Sequence, residues 1–97
     1  MERENLFNLY VEAYFGVREM DEYDLKEYVL KDIENYIKDF VYTNDIDINY
    51  AKENAERIKD KVNIKTKLQS SLILLNKMNA PEELILLVRK KIKELDD

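Results

Sequence analysis

The chain has one glycine and one proline in 97 residues. Hairpins and β-sandwiches need turn residues with positive φ, and Asn and Asp can supply only a few of them here. Apolar residues make up 45% of the chain, which is too many for a disordered protein even with 38% charged residues. We therefore predict one all-α domain over residues 1–97, a compact bundle of four to five helices in which helices 4 and 5 form an αα-hairpin.

The spacing of the apolar residues predicts the first two helices. Helix 1 covers roughly residues 2–19 and is apolar around most of its circumference. Such a helix lies at the centre of a bundle or is shared with a partner. Helix 2 begins after a capping Asp21 or Asp24 and keeps the 3.6-residue period along its length.

Helix 3 has a narrower apolar stripe. Asp45 or Asp47 is expected to cap its first turn, because both can accept hydrogen bonds from free backbone N–H groups. Ala51 and Ala55 lie on the stripe, and their small side chains predict close approach to a neighbouring helix.

The rest of the chain contains two further helix starts. Thr66 and Gln69 have the spacing of a capping box, which predicts that helix 4 begins there; a single kinked helix 3–4 is the alternative. The buried face of helix 4 is expected to contain Leu68, Leu72, Ile73, Leu75 and Met78. Asn79, followed by Pro81 and Glu82, predicts the start of helix 5.

Missing residue types exclude most enzyme chemistries. The chain contains no His and no Cys, so it has no imidazole acid or base, no thiol nucleophile and no zinc site of the usual nitrogen and sulfur kind. With Gly16 alone there is no glycine-rich phosphate loop. We expect no enzymatic activity, no catalytic residue, and neither a metal nor a cofactor. The first residues lack the pattern of a secretory signal, and no segment is apolar enough to span a membrane, so the cytoplasm is the expected location.

One acidic pattern resembles an EF-hand calcium loop. Asp45, Asp47 and Asn49 match its first three oxygen ligands, and Glu56 matches its last. Tyr50 stands where that loop needs glycine for a sharp turn. A capped helix start is therefore the preferred interpretation.

A second acidic pattern consists of carboxylate pairs spaced three residues apart. Glu19 with Glu22 and Glu53 with Glu56 resemble the magnesium-binding pairs of small all-helical nucleotide pyrophosphohydrolases. The resemblance implies a magnesium-dependent hydrolase as a remote alternative. Nothing in the sequence shows that the pairs converge on one site, so helix caps and solvated surface are preferred.

Charge and aromatic residues divide the chain in two. Residues 1–45 hold five basic and twelve acidic side chains, whereas residues 46–97 hold eleven basic and nine acidic ones. All ten aromatic residues lie at or before Tyr50. One interpretation is a single bundle in which aromatic helices pack on aliphatic ones; the other is a tyrosine-rich acidic surface that binds a protein.

We predict a non-enzymatic regulatory protein that binds or inhibits a macromolecular protein partner through an acidic, tyrosine-rich face of helices 1 and 2. The predicted contact residues are Tyr10, Tyr14, Phe15, Glu19, Asp21, Glu22 and Tyr23. A shared helix 1 also predicts a homodimer.

The alternative is an accessory protein that contacts nucleic acid through helix 5. The cations available for that role are Arg89, Lys90, Lys91 and Lys93. The net charge of −5 argues against this alternative, as do Glu82 and Glu83 at the start of the helix.

Overall fold

Five α-helices form the part of the chain that the structure describes. The computed structural model describes residues 3–20 and 23–96. The helices are α1 (Arg3–Arg18), α2 (Lys26–Thr43), α3 (Ile48–Lys61), α4 (Ile64–Lys77) and α5 (Glu82–Asp96). The predicted all-α bundle is confirmed, and α4 contacts α5 across a short connection. Within the described ranges, no helix is long and apolar enough to cross a membrane.

α1 is the central helix of the bundle. It packs against α2, α3 and α4, while α5 packs on α4. One apolar cluster joins Ala13 and Val17 of α1 to residues of α2, α4 and α5. A second cluster joins Phe7 and Val11 to Ala51 and other residues of α3. The apolar circumference predicted for helix 1 thus serves contacts with three helices.

α1 and α4 cross at close range. The Ser71 hydroxyl donates to the carbonyl oxygens of Ala13 and Lys67, both at 2.9 Å. A methyl group on Gly16 would lie 2.5 Å from the Lys67 carbonyl oxygen and closer still to the Ser71 hydroxyl. Glycine at position 16 therefore permits the short distance between these two helices.

α2 and α4 end in the same way, without glycine. Asp45 and Asn79 adopt positive φ angles of 52° and 56°. At the end of α4, the Ala80 N–H donates to the Leu75 carbonyl oxygen at 3.0 Å, which closes a Schellman motif. Asn79 therefore ends α4 and does not cap α5, which begins directly after Pro81.

α3 and α4 are separate helices with side-chain caps. Asp47 accepts from the Asn49 N–H at 2.7 Å, as predicted for helix 3. Val62 and Asn63 are extended, so a single kinked helix is excluded. The Asn63 side chain accepts from the Thr66 N–H at 2.8 Å. The capping box predicted at Thr66 was wrong, because Asn63 already caps this helix three residues earlier.

α2 begins without the predicted carboxylate cap. Leu25 occupies the capping position, and no side chain bonds the free N–H groups there. Asp24 therefore does not cap the helix, and Asp21 lies outside the described residues. Instead, the Lys26 ammonium donates to the Met20 carbonyl oxygen at 2.7 Å and joins the start of α2 to the end of α1.

One apolar residue of α4 lies on the opposite face from that predicted. Ile73 is 55% exposed. It follows Ser71 by two positions, which places it about 200° around the helix from the face that meets α1. Its burial was predicted from the apolar spacing of helix 4, whereas the orientation of α4 is set by Ser71, Leu74 and Leu75, which are fully buried.

Candidate functional site

An open groove runs along α1 between α2 and α3. Both helices pack on α1 but scarcely contact each other, and a volume of about 860 Å³ remains between them. The floor consists of the α1 residues Phe7, Val11, Tyr14 and Phe15. The α2 wall consists of Glu34, Ile37, Lys38, Val41 and Tyr42, and the α3 wall of Ile48, Ala51, Lys52 and Ala55. Asp45 and Ile46 connect the two walls at one end.

The groove arises from side chains of unequal size. α1 presents aromatic rings, whereas α3 presents Ala51 and Ala55, whose methyl groups do not fill the space above them. At the rim, Tyr42 is 89% exposed and Ile48 is 57% exposed. Large apolar side chains that line an open concave surface are typical of an interaction site.

The polar groups of the groove are few, and all but the Tyr14 hydroxyl lie on its walls or at its Asp45 end. The Tyr14 hydroxyl donates to a Glu34 carboxylate oxygen at 3.3 Å. Partial burial, and then the charge of Glu34, raise the pKa of Tyr14, so this phenol stays protonated at neutral pH. Lys38 and Lys52 are exposed on opposite walls, and neither forms a salt bridge with another described residue.

Comparisons with known proteins do not assign a function to the groove. No protein-family model, curated protein or solved structure matches the chain. The shape, exposure and charge of the groove residues are therefore the basis for its function.

The predicted contact residues on α1 separate into groove and core. Tyr14 and Phe15 line the groove. Tyr10 is only 3% exposed, and its ring packs edge-on against Tyr36 at 5.1 Å. Its hydroxyl accepts a hydrogen bond from Lys77 at 2.9 Å. The prediction that Tyr10 contacts a partner was wrong, because these contacts place its side chain in the core.

The other predicted contacts lie away from the groove. Glu19 is exposed just after the end of α1. Tyr23 is half-buried against the apolar cluster that includes residues of α5, and partial burial, followed by the charge of Glu83, raises its pKa. Asp21 and Glu22 lie outside the described residues. The predicted acidic, tyrosine-rich face is therefore not one continuous surface among the residues that the structure describes.

The α5 cations share a face with other kinds of side chain. Of the four, Arg89, Lys90 and Lys93 are exposed and Lys91 is half-buried. Leu86 is exposed one turn before them, and helical spacing places it on the same side as Arg89 and Lys90. Glu82 and Glu83 occupy the first turn. The basic stripe is thus confined to the second half of the helix, and apolar and acidic groups precede it.

The two acidic patterns take ordinary structural positions. Asp45 ends α2 and Asp47 caps α3, so the pattern that resembles a calcium loop is a capped helix start. Glu56 lies 4.0 Å from the Lys59 ammonium on the exposed side of the same helix. Glu53 is also exposed, while Glu22 of the other pair lies outside the described residues.

Sequence reasoning missed the contribution of α2 and α3 to the groove. Ile37 and Val41 had the spacing of core residues, and both are half-buried on its wall. The available signal was the pair of alanines on α3, Ala51 and Ala55, opposite a helix that is apolar on most sides. Small side chains that face a large apolar surface indicate either close helix packing or an open space. Here Ala51 packs against α1, and Ala51 and Ala55 also line the groove.

Proposed function

We propose that this chain is a non-enzymatic regulatory protein that binds a protein partner through the groove. The observation that carries the proposal is an open apolar groove with aromatic side chains on its floor and exposed Tyr42 and Ile48 at its rim. Aromatic and aliphatic anchors in such sites supply most of the binding free energy between proteins. Burial of this surface by a partner would remove it from water, which favours binding.

The chemistry of the groove also favours binding over catalysis. Partial burial and the charge of Glu34 raise the pKa of Tyr14, away from neutrality. A phenol with a raised pKa is a weak base and a weak nucleophile at neutral pH. Tyr14 is therefore proposed as a contact residue, with its hydroxyl positioned by Glu34.

Two further expectations remain part of the proposal. The predicted homodimer rests on the broad apolar surface of helix 1 in the sequence, and we do not assign it to the groove. The cytoplasmic location rests on the sequence, which lacks Cys.

The proposal is tested by photo-crosslinking from two matched positions. A photoreactive phenylalanine derivative replaces Ile48 at the rim in one variant and Ile73 on α4 in the other; the native side chains are 57% and 55% exposed. In cells of the native host, we expect one specific protein to be crosslinked from position 48 and not from position 73. Equal labelling from both positions, or none from position 48, would overturn the proposal.

A further inference from the structure

We infer that the groove binds a single amphipathic α-helix of two to three turns, whose apolar stripe is flanked near its centre by acidic side chains. The inference rests on the proposed function and specifies the chemistry of the partner. It follows from the length of the groove, from a floor whose one side-chain hydrogen-bonding group, the Tyr14 hydroxyl, is already bonded to Glu34, and from the positions of two lysines.

The length of the groove corresponds to a short helix. Its floor on α1 extends from Phe7 to Phe15, and its α2 wall from Glu34 to Tyr42. Each span covers eight residue steps, or about 12 Å at the helical rise of 1.5 Å per residue. A helix that places apolar side chains at i, i+3, i+4 and i+7 presents an anchor surface of about the same length.

A helix also satisfies its own backbone in an apolar groove. An extended peptide would bury N–H and C=O groups against Phe15, Ile37 and Val41, which are partly exposed and offer no hydrogen-bond partner. Among the described residues there is no strand whose edge could pair with such a peptide. A bound helix makes these bonds internally, and it would lie above α1 as a further helix of the bundle.

The charges on the walls select the flanking residues of the partner. Lys38 and Lys52 project from opposite walls and have no salt-bridge partner among the described residues. Glu34 accepts a hydrogen bond from Tyr14 near one end, and Asp45 lies at the other end, where α2 stops. The middle of the groove is therefore positive on both sides, which complements acidic residues on either side of an apolar stripe.

The charge pattern argues against one obvious occupant from a second copy. The exposed Leu86 of α5 is flanked by Arg89 and Lys90. Docking that face into the groove would bring these cations to Lys38 and Lys52. Like charges at such a contact oppose binding, so a partner with acidic flanks is favoured.

Binding of two synthetic peptides to the full chain tests the inference. Each has about fourteen residues with leucines at i, i+3, i+4 and i+7; one carries Glu and the other Lys beside the stripe. We expect the Glu peptide to bind and gain helicity, measured by fluorescence anisotropy and circular dichroism. Ile48→Asp should weaken its binding at least tenfold, whereas the matched Ile73→Asp should leave it unchanged.

A charge exchange gives the second, independent readout. The double variant Lys38→Glu/Lys52→Glu should lose roughly tenfold in affinity for the Glu peptide, since each rim charge pair contributes modestly. The same variant should gain affinity for the Lys peptide. Circular dichroism confirms that each variant is folded, which is expected because all the substituted side chains are exposed.

Other outcomes overturn the inference in distinguishable ways. Equal binding of both peptides by the native chain contradicts the charge assignment. If neither peptide binds but position 48 still crosslinks a protein, the partner is not such a helix, and the proposed function is left intact. A dimer in sedimentation equilibrium that Ile48→Asp converts to a monomer assigns the groove to a second copy. Failure of both the peptides and the crosslinking removes the proposed function as well.

Discussion

The two sides of α1 are packed in opposite ways. Towards α4, the small residues Ala13 and Gly16 allow close approach, and the Ser71 hydroxyl bonds two carbonyl oxygens. Towards α2 and α3, the rings of Tyr14 and Phe15 line a space that neither helix fills. Small residues let one side close on its neighbour within the chain, whereas large residues on the other side border an open groove.

The two sides of α1 also differ in whether their polar side chains have partners within the chain. At the closed side, the Ser70 hydroxyl donates to Glu12 at 2.6 Å, and every buried side-chain nitrogen or oxygen within the described residues has a hydrogen-bond partner. At the open side, Lys38 and Lys52 remain available on the walls. Stability should therefore depend on the first side and binding on the second.

The largest effect is expected from Gly16→Ala at the closed side. The added methyl group would meet the Lys67 carbonyl oxygen at 2.5 Å, so the two helices must move apart. We expect a loss of about 2 kcal/mol in the free energy of unfolding, the overpacking cost less the better helix propensity of alanine. Urea unfolding measures it. Adding Ser71→Ala should restore only part of the loss, because the backbone oxygen stays in place; full recovery would contradict the assignment.

A smaller loss is expected from Lys77→Met. This change leaves the buried Tyr10 hydroxyl without its hydrogen-bond donor, at a cost of about 1–2 kcal/mol in the free energy of unfolding. Lys65→Met is the control, because its ion pair with Asp96 is exposed and should contribute less than about 1 kcal/mol. Equal effects of the two substitutions on urea unfolding would show that the Tyr10 contact adds nothing.

The same variant carries a pH signature. The hydrogen bond to Tyr10 raises the pKa of Lys77, so the folded chain holds this proton more tightly than the unfolded chain does. The resulting stability is complete below about pH 10 and is lost as the pH rises through the folded pKa. Unfolding free energies measured from neutral to alkaline pH should fall less steeply in Lys77→Met than in the native chain. Parallel curves would contradict this.

Ala55→Leu should separate stability from binding at the open side. The larger side chain occupies part of the groove, and we expect a gain of about 0.5–1 kcal/mol in the free energy of unfolding, as for other cavity-filling changes. The affinity for the Glu-flanked peptide should also fall at least tenfold, because the leucine side chain occupies space that the bound helix needs. A variant that is more stable and still binds normally would place the binding site elsewhere.

The smallest effect is expected from the surface that belongs to neither side of α1. The cations of α5 are confined to its second half, after the exposed Leu86, and Glu82 and Glu83 lie in the first turn. We therefore expect no retardation of duplex DNA or RNA in a gel shift at low salt. Retardation that weakens as salt is added, and that Arg89→Glu abolishes, would instead favour the nucleic-acid alternative.

The sequence was most informative about helices and least informative about how they meet. The apolar period of α2 and the broad apolar surface of α1 predicted a bundle in which α1 is either central or shared with a partner, and the structure makes it central. The first turn of α4 was misplaced because Asn63 and Thr66 are both good capping residues, and only the backbone shows which of them accepts the bond.

The groove could not be predicted because no single helix contains it. Its volume depends on the separation of α2 and α3 above α1, which is a property of three packed elements. Tyr14 and Phe15 were named as contacts from their chemistry, and both line it. Tyr10 has the same chemistry, but its position one turn earlier turns it towards Tyr36 and the core.

The peripheral position of α5 also bears on how the protein opens. α1 is held by three neighbours, whereas α5 rests mainly on α4 through Leu84, Ile85 and Val88. Segments with fewer neighbours unfold locally at lower free energy than the central elements do. In native-state hydrogen exchange, amides of α5 should exchange before those of α1, at denaturant concentrations that leave the groove intact. The C-terminal helix would then be the first unit of the bundle to detach, while the helices that form the groove remain folded.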